Sequence, residues 1–153
     1  MSTPSVHDLY EAWQRASCEE EAWILTRDWL IQGGQISVLI DGYPLWWWPL
    51  SQHWGLVVNE LLCSGSDVNQ RNILGQGWLH ACIEYQVPVW LALEGEKKLS
   101  KTWWYPDALN QFPLNLQGLP GFMMVLHRRW EAERDIPWDE FNQKHFSERL
   151  DKS

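Results

Sequence analysis

The N-terminal part of the chain alternates apolar and polar positions with the period of an α-helix. Its apolar residues at spacings of three and four are Val6, Leu9, Tyr10 and Trp13. This pattern predicts an amphipathic helix that buries one face. Ser17 and Glu20 have the spacing of a capping box and predict the start of a second helix, which Gly33-Gly34 ends. We therefore expect an N-terminal helical pair over about residues 5-37.

A similar pattern of apolar residues recurs along the chain at a nearly constant interval. Leu45, Leu79 and Leu114 each open an apolar segment, and they lie 34 and then 35 residues apart. A period of about 34 residues, with two short helices in each unit, indicates stacked helical repeats.

Two motifs in the middle of the chain resemble the ankyrin repeat. Residues 61-69, LLCSGSDVN, resemble the end of that repeat's second helix and its G-A-D-V-N tail. Residues 75-83, GQGWLHACI, follow at the right distance to match the next repeat's T-P-L-H opening, although Gly77 and Trp78 replace the Thr and the Pro. The resemblance implies an all-α fold, a short solenoid of ankyrin-like helix-turn-helix repeats. It also places His80 at the family's structural histidine, which bonds neighbouring turn backbone.

The repeat divides the chain, interpreted as a single domain over residues 1-153, into units. After the N-terminal pair come the best-matching repeats, 41-70 and 71-100, and then a degenerate repeat over 109-133. Residues 95-111 are too long and irregular for a standard connection, so we expect a non-standard loop there. A C-terminal helix over 137-150 is expected to cap the stack.

Charge and cysteine content limit the classes of partner. Twenty acidic side chains against twelve basic ones give a net charge of -8. Such a surface repels nucleic acid and suits a basic protein, although the same charge also keeps a small domain soluble. The three cysteines have no metal-finger spacing, no signal peptide is recognisable, and no apolar run reaches 20 residues. We expect a cytoplasmic protein that binds neither nucleic acid nor membrane.

Chemistry-bearing motifs are sparse. His80 with Glu84, and His127 with Glu131, are spaced for one helix face, but neither pair has a third ligand for a metal. No nucleophile elbow or phosphate-binding glycine motif is present. We therefore expect no enzymatic activity, no metal and no cofactor.

The thirteen tryptophans are the unusual feature of the composition. Those within apolar helical segments are predicted to be core: Trp13, Trp23, Trp29, Trp90 and Trp130. Successive helical residues rotate by about 100°, so three in a row cannot all face one core. At least one of Trp46, Trp47 and Trp48 is therefore expected at the surface, with filling of an irregular core as the alternative.

On the ankyrin resemblance, first helices and finger loops line a concave face that grips partners. The predicted contact residues on that face are the aromatics Tyr43, Trp46, Trp47, Trp48, Trp78, Trp103, Trp104 and Tyr105, and the carboxylates Asp41, Glu84 and Asp107. Large rigid aromatics are favoured at binding hot spots, and carboxylates steer and pair with basic partners.

The function predicted from these features is protein binding, with an immunity protein or antitoxin that inhibits a basic toxin as its most specific form. Two alternatives stay open. Exposed indoles can stack on sugars, which suits a carbohydrate or small-ligand binder. A host-directed effector or an adaptor domain has the same sequence profile as the inhibitor.

Overall fold

The computed structural model describes residues 4-142, and the secondary structure of this part is helical apart from one isolated β-bridge between Ile40 and Tyr43. The α-helices are α1 (Val6–Arg15), α2 (Glu19–Ile31), α3 (Trp47–Ser51), α4 (Gly55–Cys63), α5 (Trp78–Glu84), α6 (Val89–Glu96), α7 (Pro120–Arg134) and α8 (Trp138–Asn142). A 3-10 helix spans Pro113–Asn115. The prediction of an all-α fold is confirmed.

Helices α1 and α2 form the predicted N-terminal pair. Ser5 and Asp8 make a reciprocal capping box at α1, in which the Asp8 N–H donates to the Ser5 hydroxyl at 3.1 Å and the Ser5 N–H to the Asp8 carboxylate at 3.2 Å. At α2 the predicted capping box is not formed, because Cys18 is the N-cap and makes no side-chain cap hydrogen bond. Ser17 instead donates its N–H and its hydroxyl to the Glu21 carboxylate.

The helices pack as successive pairs. Helix α2 packs against α4, α4 against α6, and α6 against α7, while α3 packs against α5 and α5 against the 3-10 helix. Within each pair the two helices also contact each other, as α3 contacts α4 and α5 contacts α6. From α3 onward the chain therefore places the first elements of successive units side by side, and from α2 onward it does the same with the second elements.

Between α6 and the 3-10 helix the chain has no regular element, as expected for the irregular loop. Three arginines hold this loop, and one of them, Arg134, donates to the Lys101 carbonyl at 2.9 Å. The Arg71 guanidinium donates to the carbonyls of Gly75, Thr102, Tyr105 and Pro106. Arg129 donates to the Glu96 and Leu99 carbonyls at 2.8 Å and to the Glu96 carboxylate at 2.9 Å.

The C-terminal helix begins after Pro137, as predicted. Phe141 packs against Trp130 with ring centroids 4.7 Å apart. The remainder of that prediction, residues 143-150, lies outside the described residues.

The core contains three of the five tryptophans predicted to fill it, Trp13, Trp29 and Trp130. Trp23 is half-buried, and its indole N–H donates to Glu60. The core prediction was wrong for Trp90, which is 58% exposed. The Trp90 indole lies against Gly55, the first residue of α4, so closely that a Cβ at position 55 would collide with the ring. Trp90 therefore packs on the surface of α4.

Candidate functional site

Three short turns precede the first helical elements of the units, and we call them finger 1 (residues 40-43), finger 2 (72-76) and finger 3 (107-111). In finger 1, Ile40 and Tyr43 exchange two backbone hydrogen bonds of 2.8 and 2.9 Å. Fingers 2 and 3 are each closed by one such bond, from the first residue's N–H to the last residue's carbonyl, at 3.0 and 3.1 Å. The three turns are thus variants of one local structure.

Asn72 and Asp107 hold fingers 2 and 3 in the same way. The Asn72 side-chain oxygen accepts from the N–H groups of Leu74 and Gln76, at 2.9 and 3.0 Å. The Asp107 carboxylate accepts from those of Leu109 and Gln111, both at 2.9 Å. Asp107 is also buried. The prediction that Asp107 contacts a partner was therefore wrong, because its carboxylate satisfies the backbone of its own turn.

Main-chain hydrogen bonds join the finger tips. The Ile73 N–H donates to the Gly42 carbonyl at 3.1 Å, and the Ala108 N–H donates to the Leu74 carbonyl at 2.8 Å. Gly42 has a φ of +86°, and a Cβ there would also collide with the Ile73 side chain at 2.4 Å. The tips therefore lie in direct contact, in the order finger 1, finger 2, finger 3.

His80 links α5 to finger 3. Its Nδ1 accepts from the Gly77 N–H at 3.1 Å, so Nε2 carries the proton and donates to the Gln111 carbonyl at 2.9 Å. Burial lowers the pKa of His80, which keeps the ring neutral. Both nitrogens are engaged, so neither is available to a metal with Glu84. The ankyrin resemblance implies this bonding to neighbouring turn backbone.

The finger tips expose aliphatic side chains that the sequence analysis missed. We call this set the fingertip ridge; its members are Val38 and Leu39, next to finger 1, Ile73 and Leu74 of finger 2, and Leu109 of finger 3. Ile73 is 73% exposed and Leu109 75%. The signal was present in the sequence, since Ile73-Leu74 and Leu109 stand at tight turns where polar residues and glycine are usual.

A pocket of about 320 Å³ opens beside finger 1. Five aromatic residues line it, with Ile40, Asp41, Pro44, Leu45 and Ser51 completing the walls; the aromatics are Tyr10, Tyr43, Trp47, Trp48 and Tyr85. Tyr43 and Trp47 have ring centroids 5.4 Å apart, and Tyr10 and Trp48 5.6 Å. We call this the aromatic pocket.

Asp41 carries the one formal charge among the residues that line the aromatic pocket. Its side chain is 82% exposed, and its carboxylate lies 3.9 Å from His7 Nε2. Its backbone has a φ of 50°, in the left-handed region. The tip of finger 1 therefore places a solvated carboxylate at the pocket. Glu84 is also exposed, but it does not line the pocket.

The three consecutive indoles differ in exposure. Trp46 is buried, and its N–H donates to the Asp67 carbonyl at 2.9 Å, so its prediction as a contact residue was wrong. Trp47 lines the aromatic pocket but is also largely buried, with its N–H on the Tyr85 hydroxyl at 3.1 Å. Trp48 is half-buried. It meets the expectation that one of the three reaches the surface.

Trp78 and Trp103 are buried as well, so the contact prediction was wrong for both. The Trp78 N–H donates to the Ala92 carbonyl at 3.0 Å. Trp103 donates to the Glu133 carboxylate at 2.8 Å, and Arg129 lies 5.1 Å over its ring.

Trp104 is half-buried between the loop and α7. It packs edge-on against Trp130 at 5.1 Å, and Arg134 lies 4.9 Å over its ring. These contacts hold the loop to α7, which is a structural use of the side chain. Tyr105, at 46% exposure, is the member of the predicted loop trio that faces solvent most.

Within residues 4-142 no cluster of three or more His, Cys, Asp or Glu residues is placed to hold a metal ion. In the same part of the chain no helix has the length and apolar content needed to span a bilayer. The three cysteines are free thiols, and burial raises the pKa of the Cys82 thiol well above its usual value.

No protein-family model matches the sequence, and comparisons with curated proteins and with solved structures give no significant match. The basis for a function is therefore the chain's own surface, in which the fingertip ridge and the aromatic pocket meet at finger 1.

Proposed function

We propose that this chain is a non-enzymatic protein-binding module, a short solenoid of ankyrin-like repeats that grips a partner with a basic surface. The linked fingers, the side-by-side first helices and the bonding of His80 to finger 3 support the repeat assignment. The single observation that carries the binding function is the fingertip ridge.

Burial in the core does not account for the aliphatic composition of the ridge. Ile73 and Leu109 leave most of their side chains in water at the tips of tight turns. Exposure of several neighbouring aliphatic side chains is unfavourable, and contiguous apolar patches on soluble domains usually mark interaction sites. Main-chain hydrogen bonds between the fingers fix the relative positions of these side chains before binding, which reduces the entropy that a complex would lose.

The negative charge of this chain favours a partner with a basic surface. The net charge of -8 and the exposed carboxylates of Asp41 and Glu84 favour encounter with a basic surface. The specific form that we propose is an immunity protein or antitoxin, acting in the cytoplasm, that occludes the active site of a basic toxin. An effector or adaptor would use the same surface in the same way.

A carbohydrate or another small ligand is the second candidate, and the aromatic pocket is the observation that favours it. Its volume, about 320 Å³, lies at the lower end of the range for ligand sites, and indole and phenol rings suit stacking on sugars. This function ranks second because it gives the fingertip ridge no role.

Site-specific photo-cross-linking in the native cells tests the proposal. A photoreactive phenylalanine analogue replaces Ile73 in one variant and Leu109 in another, and mass spectrometry identifies what each traps. We expect the two positions to trap the same protein, with a basic surface, and the yield to fall as salt is raised.

Ile31 provides the matched control, because this α2 residue is an aliphatic side chain with 79% exposure and lies outside the fingers. The analogue at position 31 should not trap that protein. Equal trapping at all three positions, or none at positions 73 and 109, would contradict the proposed function.

A further inference from the structure

We propose that the aromatic pocket receives a cationic side chain, a lysine or an arginine, from the protein partner. This inference rests on the proposed function and identifies the chemistry that one part of the surface recognises. The observation behind it is a pocket with five aromatic residues and a single carboxylate, and with no Lys, Arg or His among its ten lining residues.

Aromatic walls favour a cation over other polar groups. The faces of indole and phenol rings carry partial negative charge, and a cation within about 6 Å of a ring centroid is attracted to it. Tyr43 with Trp47, and Tyr10 with Trp48, bring four such rings to the pocket as two contacting pairs. Ile40, Pro44 and Leu45 add apolar surface for the aliphatic stem that precedes an ammonium or guanidinium group.

Asp41 supplies the charge complement. The side chain that forms an ion-pair contact with it is His7, whose Nε2 lies 3.9 Å away, beyond hydrogen-bonding distance. The carboxylate therefore keeps acceptor capacity for a cation that enters the pocket beside it. Such a pair would lose part of its hydration on binding, and its Coulomb attraction would then be larger than that of a fully exposed surface ion pair.

The polar groups of the pocket favour a sugar less. The Ser51 hydroxyl donates to the Trp48 carbonyl at 2.6 Å, and the Tyr85 hydroxyl accepts from the Trp47 indole at 3.1 Å. Each of these two hydroxyl groups thus has one hydrogen bond committed inside the protein, which limits the directions in which it can orient a sugar. A cation needs few fixed hydrogen bonds when aromatic faces and one carboxylate surround it.

The test uses the whole chain labelled with ¹⁵N and probes that differ only in charge. The Trp47 and Trp48 indole N–H signals are followed during titration with Nα-acetyl-lysine methylamide and Nα-acetyl-arginine methylamide. The neutral matches are the Nε-acetylated lysine probe and the citrulline probe. We expect the charged probes to shift both indole signals, the neutral probes not to, and the Trp90 signal to stay unchanged as an internal reference.

Asp41→Asn is the matched variant, because asparagine keeps the shape of the side chain and tolerates the left-handed backbone at this position. We expect it to weaken binding of the charged probes by about 3- to 10-fold. The probe comparison itself is made on the unmodified chain, so it does not depend on the folding of any variant.

Equal shifts with charged and neutral probes, no shift with any probe up to 100 mM, or stronger shifts with glucose or N-acetylglucosamine would each overturn the cation assignment. These failures are distinct from failure of the proposed function. If a protein is trapped at positions 73 and 109 but no probe shifts the indole signals, only the cation assignment is wrong. If the charged probes bind but no protein is trapped, the proposed protein-binding function is wrong.

Discussion

The fingertip ridge and the tryptophans at the first helices differ in how much of their apolar surface is exposed to solvent. Ile73 and Leu109 are exposed, although isoleucine and leucine usually lie in protein cores. Trp46 and Trp78 are buried, although large aromatic residues are common at interfaces. The comparison shows that these aromatic residues are not the exposed apolar residues of the repeat units. The aliphatic residues at the tight turns are exposed, and the proposed binding surface rests on them.

Short helices explain why the indoles are inside. Helix α3 has five residues and α5 has seven, lengths at which an isolated helix is unstable in water. Trp46 and Trp78 pack against each other with ring centroids 5.1 Å apart, and each donates its N–H to a backbone carbonyl. These indoles therefore supply the tertiary packing that such short helices need.

The largest expected effect follows from removing one of these indoles. Trp46→Ala should lower the free energy of unfolding by about 3-5 kcal/mol, because it leaves a cavity beside Trp78 and removes the indole hydrogen bond to the Asp67 carbonyl. Trp90→Ala, at the exposed indole, should cost about 1 kcal/mol or less. Urea unfolding followed by circular dichroism measures both.

Equal losses for the two variants would mean that indole burial does not stabilise the stack as described. The comparison uses the same chemical change at both positions, so the difference reports the environment of the ring.

A smaller, pH-dependent effect is expected at His80. Burial lowers its pKa in the folded chain, so between the ordinary histidine pKa of about 6.5 and the lowered value the unfolded chain binds more protons than the folded chain. Stability should therefore fall as the pH drops below about 6.5, and this loss should end below the folded-state pKa.

His80→Gln removes this titration while keeping a hydrogen-bonding side chain. We expect the wild type to lose more stability than the variant between pH 7.5 and pH 5.5 in urea unfolding, since the other acidic and basic groups are common to both. A wild-type loss no greater than that of the variant would argue against a buried, neutral His80.

The spacing of apolar residues and the helix-capping motifs were sufficient to predict the all-α fold, the two N-terminal helices and the start of the C-terminal helix. Which of Trp46, Trp47 and Trp48 are buried and which is half-buried was not predictable in this way. The three side chains meet three different sets of neighbours, which successive rotation around one helix does not reveal. These are Trp78 for Trp46, Tyr43 and Tyr85 for Trp47, and Tyr10, Trp13 and Trp54 for Trp48. Long-range packing of this kind is not encoded in local periodicity.

Other differences had a local signal. Asp107 precedes a turn that ends near Asn110, and aspartate at the first position of a turn commonly bonds the backbone ahead of it. The same reasoning applied to Ile73-Leu74 before Gly75 would have singled out aliphatic residues at a turn tip. The location of the aromatic pocket, in contrast, needed the contact between α1 and α3 side chains that only the fold provides.

The smallest expected effect on stability, and the most direct test of the account, is at the fingertip ridge. The double variant Ile73→Ser/Leu109→Ser keeps the net charge and removes two aliphatic side chains from the tips of fingers 2 and 3. Its unfolding free energy should stay within about 0.5 kcal/mol of the wild type, because neither side chain is buried.

Affinity for the protein trapped at positions 73 and 109 should fall by about tenfold or more in the double variant and stay unchanged in Ile31→Ser, as measured by titration calorimetry. That result would establish the ridge as the binding surface. Wild-type affinity in the double variant, or an equal loss in Ile31→Ser, would contradict the central claim that this protein binds its partner through the finger tips.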